Sequence, residues 1–283
     1  MAQVYPGYMG LADIGGTQVR FADANIAATQ SVEAPDLIMG DYDRDAYVYG
    51  KIEVGGSISG PVTETFATGG GSIWSWATAR DDCGNPTEKD LTLYYFCGGS
   101  GNSSRSFSGM LVNSLNFSCS AGDVAQFSLD VMGRGADPWG TGDPPPKQDA
   151  EKLVTWDKVG VTITPGSDST WSPAVDVGFS NFDFTLANNL EAVYSLGQAN
   201  LFPYDIVSGL RQISGSISVY NIPGSNGFDA WDDYQASNIG NITFNIGLLS
   251  ISASVRFHRV EPANSVGPIM STVAFTGVGH QSF

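Results

Sequence analysis

An internal repeat constrains this chain more than any other feature of its sequence. The run Glu53-Val54-Gly55-Gly56-Ser57-Ile58-Ser59-Gly60 returns as Gln212-Ile213-Ser214-Gly215-Ser216-Ile217-Ser218-Val219, so that Gly56 maps onto Gly215 with a shift of 159. The patch Ile73-Trp74-Ser75-Trp76-Ala77 returns as Ala230-Trp231-Asp232-Asp233-Tyr234, a shift of 157 between Trp74 and Trp231. Leu91-Thr92-Leu93-Tyr94-Tyr95-Phe96 returns as Asn241-Ile242-Thr243-Phe244-Asn245-Ile246, a shift of about 150. Gln126-Phe127-Ser128-Leu129-Asp130-Val131-Met132-Gly133 returns as Met270-Ser271-Thr272-Val273-Ala274-Phe275-Thr276-Gly277. Four matches in one order, with smoothly drifting shifts, point to a duplicated small domain. Such a chain suits a ring or an array better than a single catalytic cleft.

The repeated unit reads as all-β with one short helix per domain. With 283 residues the chain has room for two ordinary domains. Leu249, Ile251, Ala253, Val255 and Phe257 alternate with Ser250, Ser252, Ser254 and Arg256, as in an antiparallel strand with one wet face. Ile213, Gly215, Ile217 and Val219 alternate likewise, as do Phe127, Leu129 and Val131; Phe182, Phe184 and Leu186; and Val161 and Ile163. The helical signals are residues 229–237 and their counterpart, residues 72–80. Residues 133–148, rich in Gly, Pro and Asp and containing Pro144-Pro145-Pro146, read as a stiff linker. The predicted division is therefore a first domain over 1–135, a linker over 136–152 and a second domain over 153–283.

Charge narrows the function. Asp and Glu number 29 against 13 Lys and Arg, giving a net charge of −16, and such a surface repels nucleic acid and anionic membrane. No apolar run is long enough for a transmembrane helix, and the start, Met1-Ala2-Gln3-Val4-Tyr5, predicts no secretory signal. Cys83, Cys97 and Cys119 lack metal-ligand spacing and read as reduced thiols, Cys97 and Cys119 as packing residues of strands.

Several local patterns invite chemistry. Leu11-Ala12-Asp13-Ile14-Gly15-Gly16-Thr17 resembles the first phosphate motif of glucokinase-type sugar kinases, and residues 186–192 are similar to that family's catalytic segment. That segment, however, holds Asn189 where the family has Asp, and an amide cannot accept the sugar's proton. The plain reading of Gly15-Gly16 is a tight turn into a strand. Asp41, Asp43 and Asp45 begin like a calcium loop, but positions 6 and 12 hold Ala46 and Ile52 in place of Gly and Glu. The adjacent pairs Asp81-Asp82 and Asp232-Asp233 diverge on any regular element. His258 and His280 have no evident partner, and no nucleophile elbow is present. Trp74, Trp76 and Trp231 are expected in the core, whereas Trp139 and Trp171 fall in loop-like sequence. The expectation is a non-enzymatic protein with no catalytic, cofactor or metal residues.

The order of strand, long loop, Gly-Ser-Ile-Ser strand, short Trp-bearing helix, hairpin and closing strand resembles the tail tube proteins of long-tailed bacteriophages, which share a fold with type VI secretion tube proteins. The resemblance covers residues 14–135 and 153–279; its nearest matches are 211–218, the helix 229–237 and the strand 272–277. It implies two tandem tail-tube-like β-sandwich/barrel domains forming a pseudo-sixfold trimeric ring, the rings stacking into a conduit for DNA delivery. It also implies that the tape measure protein and genomic DNA pass through the lumen without specific binding, and that terminator and baseplate proteins sit at the ends. The location implied is the virion tail, after synthesis in the host cytoplasm. The loop holding Met39, Asp41, Tyr42, Asp43, Arg44 and Asp45 becomes the candidate contact with the adjacent ring. The strands near 91–96, 111–119, 241–246 and 249–257 are the ones expected to turn polar faces to the lumen. The competing readings are another β-rich virion or cell-surface carbohydrate-binding protein and a glucokinase-like sugar kinase.

Overall fold

The computed structural model describes residues 10–33, 48–64, 73–81, 84–95, 103–142, 152–164, 175–176, 178–197, 200–220, 239–263 and 270–278. The first half runs β1 (Gly10–Ile14), β2 (Thr17–Arg20), β3 (Asp23–Glu33), β4 (Val48–Pro61), α1 (Ile73–Thr78), β5 (Lys89–Tyr95), β6 (Ser103–Ser120), β7 (Gln126–Gly133) and β8 (Gly135–Ala136). The second runs β9 (Val159–Thr164), β10 (Val175–Asp176), β11 (Phe179–Ala187), β12 (Leu190–Val193), β13 (Asp205–Ser208), β14 (Gln212–Tyr220), β15 (Ile239–Ile246), β16 (Leu249–Ala263) and β17 (Met270–Gly277).

Seven strands of each half pair in the same spatial order. In the first half that order is β3-β4-β7-β6-β5-β1-β2; in the second it is β11-β14-β17-β16-β15-β9-β10. Registers repeat as well as order. Gly56 lies opposite Ile26 and Val131, and Gly215 lies opposite Phe184 and Phe275. Thr92 on β5 faces Ser106 on β6, their hydroxyls 3.0 Å apart; Thr243 faces Ser252 on β16 at 2.9 Å. This pair sets the shift there at 151, one more than the shift from Leu91 to Asn241 in the sequence. The extra residue matters, because a one-residue slip would turn the buried Leu91 and Leu93 away from the face that Ile242 and Phe244 fill. The pairing of β6 with β7 shifts between Val112 and Ser114, and that of β16 with β17 shifts between Phe257 and Arg259. The bulge residues Asn113 and His258 are therefore equivalent.

At these bulges one long strand passes from one sheet to another. The early part of β6 pairs with β5 and its late part with β7. The early part of β16 pairs with β15 and its late part with β17. Each half is thus a sandwich whose two layers share a strand. In the second half Phe244 of the outer layer meets Phe182, Phe184 and Phe275 of the inner layer at ring separations of 5.3, 5.4 and 5.8 Å. The first half fills the equivalent places with Leu93, Ala24, Ile26 and Val131, smaller side chains at the same registers. Burying each large side chain contributes about 1.5 to 3 kcal/mol.

The halves are joined within one sheet. Residues 114–120 of β6 pair antiparallel with 181–187 of β11, placing Phe117 opposite Phe184. Helix α1 is two residues shorter at its C-terminal end than the sequence predicts, and it lies across this seam. Ile73, Trp76 and Ala77 bury one side of it at helical spacing, and Trp74 tilts onto Phe117 and Phe184 at 6.4 and 6.0 Å. The second expected helix, 229–237, lies outside the described residues. So do Cys83, Cys97, Trp171, Trp231, His280 and the pair Asp232-Asp233. Among the described residues no helix is long and apolar enough to cross a membrane.

The described part of the expected linker lies along the first half. Gly135 and Ala136 pair with Ser108 and Phe107, and Gly140 bridges Ser104. After the undescribed residues 143–151, Leu153 bridges Thr63 and Thr155 bridges Val124, with Val154 fully buried.

Candidate functional site: a continuous polar sheet face

The inner layers of the two halves form one surface, because the seam continues the sheet. One row of laterally paired residues runs Asp23, Ser59, Ser128, Asn116, Thr185, Ser214, Thr276 across seven strands. A second row runs Asn25, Ser57, Asp130, Ser114, Ala187, Gln212. A third runs Gln126, Ser118, Asp183, Ser216, Ala274, Arg259. The alternate residues, among them Ile58, Leu129, Leu115, Phe117, Phe184, Ile217 and Val273, face the core. Strand alternation alone produces this two-faced sheet.

The chemistry of the face is nearly uniform: short hydroxyls, amides and a few carboxylates. The side chains bond to one another along it. Asn116 Nδ2 donates to Asp183 Oδ2 at 2.8 Å and to Thr185 Oγ1 at 2.9 Å. Asn113 Nδ2 donates to Asp130 Oδ2 at 2.7 Å, and Ser218 and Thr272 hydroxyls lie 3.3 Å apart. Among the described residues its cations stand at the margins, Lys51 on β4 and the exposed Arg256 on β16, which continues the first row beyond Thr276. Lys51 is taken up by Glu53 at 2.5 Å and by the Tyr194 ring at 5.3 Å, and the Glu53 carboxylate holds the ammonium above its ordinary pKa. The strands expected to turn polar faces to a lumen divide between layers: 111–119 contributes to this face, whereas β5, β15 and the early part of β16 belong to the outer layer.

The seam is locked beside the face by a buried polar cluster that the sequence does not announce. Asn188 is fully buried. Its Oδ1 accepts from Arg80 Nη2 at 2.7 Å and Arg211 Nε at 3.2 Å. Its Nδ2 donates to the Ala77 and Val112 carbonyls, and its backbone N–H to the Asn113 carbonyl. Arg211 also donates to the Thr78 carbonyl, so the cluster occupies the C-terminal carbonyls of α1. Burial, and then the charge of Arg80, hold the Arg211 guanidinium down to about 10. A second tie is Arg134, which meets Glu88 and Asp205, each at 2.6 Å.

Between β11 and β14 the second half carries the small β12–β13 hairpin, at the position that residues 34–47 occupy between β3 and β4. The segment leans on the first half: Tyr194 Oη donates to the Ile52 carbonyl at 3.1 Å and Ile52 N–H to the Leu201 carbonyl at 2.8 Å. Leu196 and Leu210 remain exposed at 102% and 85%. Met39, Asp41, Tyr42, Asp43, Arg44 and Asp45 lie outside the described residues.

The enzyme-like motifs fold into plain structure. Gly15 and Gly16, at φ 58° and 87°, form the two-residue turn between β1 and β2. Their amides are occupied, Gly15 N–H by the Asp90 carbonyl at 2.9 Å and Gly16 N–H by Asp13 Oδ1 at 2.7 Å. No phosphate cradle is left. Asn189 sits at φ 51° and donates to the Leu210 carbonyl at 2.6 Å. Asp81 accepts from the Asn85 backbone in a turn. Trp76 is buried, its Nε1 donating to the Thr87 carbonyl at 3.0 Å, and Trp139 is exposed beside Tyr95 and Arg105. His258 is exposed at its bulge. Among the described residues no three His, Cys, Asp or Glu side chains are grouped to hold a metal.

A family model described as phage tail tube protein matches residues 4–277. Among solved structures, one chain of "Tail of empty GTA particle computed with helical refinement, C6 symmetry" is similar at 14% identity and a TM-score of 0.39, over 46% of this chain and 97% of that one. No curated protein matches.

Proposed function

As a member of the phage tail tube protein family, and so a structural component of the tail tube, the chain closes, we propose, as three copies into a pseudo-sixfold ring. Each copy supplies two tandem tube domains, 1–135 and 153–283, with 136–152 between them. The observation that carries this reading is the repeated strand order of the two halves, continued across the β6–β11 seam into one sheet with one polar face. A ring of such sheets removes the edges that an isolated sheet exposes.

The polar face is the proposed lumen lining. Duplex DNA carries one negative charge per about 1.7 Å of axis. Hydroxyls, amides and Asp23, Asp130 and Asp183 hold no phosphate there, so DNA and the tape measure protein slide through. The loop bearing Met39, Asp41, Tyr42, Asp43, Arg44 and Asp45 is the proposed contact with the adjacent ring. The corresponding insertion in the second half, with its exposed Leu196 and Leu210, offers a second one. Terminator and baseplate proteins would cap the ends of a tube made in the host cytoplasm.

Electron microscopy of the concentrated protein tests the reading directly. Tubes or rings with threefold averages are expected; tubes of another symmetry would reject the ring count, and a strictly monomeric protein would reject self-assembly. Deleting residues 39–45 should leave a folded chain that no longer makes long tubes. Long tubes from that deletion would remove the loop from the stacking contact.

A further inference from the structure

The internal repeat also describes a seam that a single chain cannot make. It maps β11 onto β3, with Phe184 on Ile26, and the late part of β6 onto the late part of β16, with Val112 on Phe257. Strand β11 pairs with β14 on one side and β6 on the other, whereas among the described strands β3 pairs with β4 alone. Beyond its bulge β6 pairs with β7 and β11, whereas among the described strands β16 pairs there with β17 alone. The two open edges are the counterparts of the two strands already joined inside the chain.

Strand β3 carries one of the devices that protect a free edge, a register shift against β4 between Gln30 and Val32, and this lies beyond residues 25–29. Its eleven residues include no Lys, Arg or Pro, and its acids stand at the ends, Asp23 and Glu33. An edge of that length and composition is built to be covered.

Resting on the ring reading, we infer that β3 of one copy pairs antiparallel with residues 259–263 of β16 of the next, in the register of the internal seam. That register sets Thr29 opposite Arg259, Ala28 opposite Val260, Ala27 opposite Glu261, Ile26 opposite Pro262 and Asn25 opposite Ala263. Pro262 has no N–H to give, so the ladder lacks a donor at that residue. The side-chain chemistry supports the match. Inside the chain Asn116 on β6 donates to Asp183 on β11. The equivalent positions between copies hold Glu261 and Asn25, so the amide and the carboxylate have exchanged strands and the pair stays complementary.

The test uses the full chain in two forms. Under mild oxidation, assembled Ala27→Cys/Glu261→Cys protein should cross-link between copies, since opposed residues of an antiparallel pair lie within disulfide reach, while neither single variant does. Bands ending at three copies support both the pairing and the ring count; bands ending at another number keep the pairing and replace the count. In parallel, Asn25→Asp should remain a folded monomer that fails to assemble, because two carboxylates then meet. Adding Glu261→Asn should restore assembly by recreating the Asn116–Asp183 pair with its original polarity. Tubes that do not cross-link, or Asn25→Asp protein that assembles like the parent, overturn this register and leave the tube reading standing. A parent protein that forms neither rings nor tubes overturns both.

Discussion

Gly56 and Gly215 face the same backbone atom in the two halves: a methyl group on either would overlap a carbonyl oxygen of the preceding strand, that of Asn25 for Gly56 and that of Asp183 for Gly215. The residues approached are themselves equivalent, 158 positions apart, which explains why the glycine recurs in the repeat. Alanine at either site forces neighbouring strands apart and should cost about 1 to 3 kcal/mol. Gly56→Ala should cost more than Gly215→Ala, because Gly56 also holds φ 147°. Urea unfolding of unassembled protein measures both; equal midpoints for the variants and the parent would contradict the overlap.

Asn188 holds the two halves through four side-chain hydrogen bonds in a fully buried place. Asn188→Ala leaves two partly buried guanidinium groups without their shared acceptor and should cost about 3 kcal/mol. The neighbour Asn189, in a left-handed turn, should tolerate glycine with little loss. A reversed ranking in thermal or urea unfolding would show that the seam is not held there.

Cys119 lies buried on β6 within the seam, and burial, reinforced by the Asp123 carboxylate, raises its thiol above the usual value of 9.0. A folded-state pKa above the unfolded one means that the native chain keeps its proton longer. The associated stability is complete below pH 9.0 and drains away as pH rises toward the folded value. Cys119→Ala should flatten that alkaline loss. Site-resolved alkylation at pH 8 should leave Cys119 unmodified until the protein is unfolded, and rapid labelling of the native chain would contradict its burial.

Cations placed on the polar face should give it an affinity for DNA. Ser128→Lys/Ser214→Lys protein, assembled, is expected to retain duplex DNA that parent tubes release. Retention should fall with log salt at about 0.9 per phosphate contact made. Co-sedimentation across a salt series measures this; indistinguishable retention by parent and variant would remove these strands from the lumen.

Much of this architecture was legible in the sequence, because β-strands announce their faces by alternation and the duplicated run carries its glycine with it. Ile58, Ile217, Leu129 and Val273 all fall on the core face that their spacing predicts. The third repeated segment aligns one residue off in sequence, since Leu91-Thr92-Leu93 and Ile242-Thr243-Phe244 share only a period of two until the Thr–Ser cross-strand pairs fix the register. The seam was not legible. Phe117 and Phe184 look like any other buried strand residues, and no local pattern says which strand of a distant segment lies beside them. Asn188 likewise sits in a run that resembles a kinase segment, and its burial depends on helix α1 and on Arg211 reaching it from elsewhere in the chain.

A joint made inside the chain has a kinetic meaning for any closed assembly of it. Two separate small domains would have to find each other by diffusion at every seam, whereas here β6 meets β11 at the high effective concentration that a short tether provides. In the proposed ring, every second seam would then be closed before two copies meet. Growth of such a ring would then need half as many encounters per turn as one built from single domains.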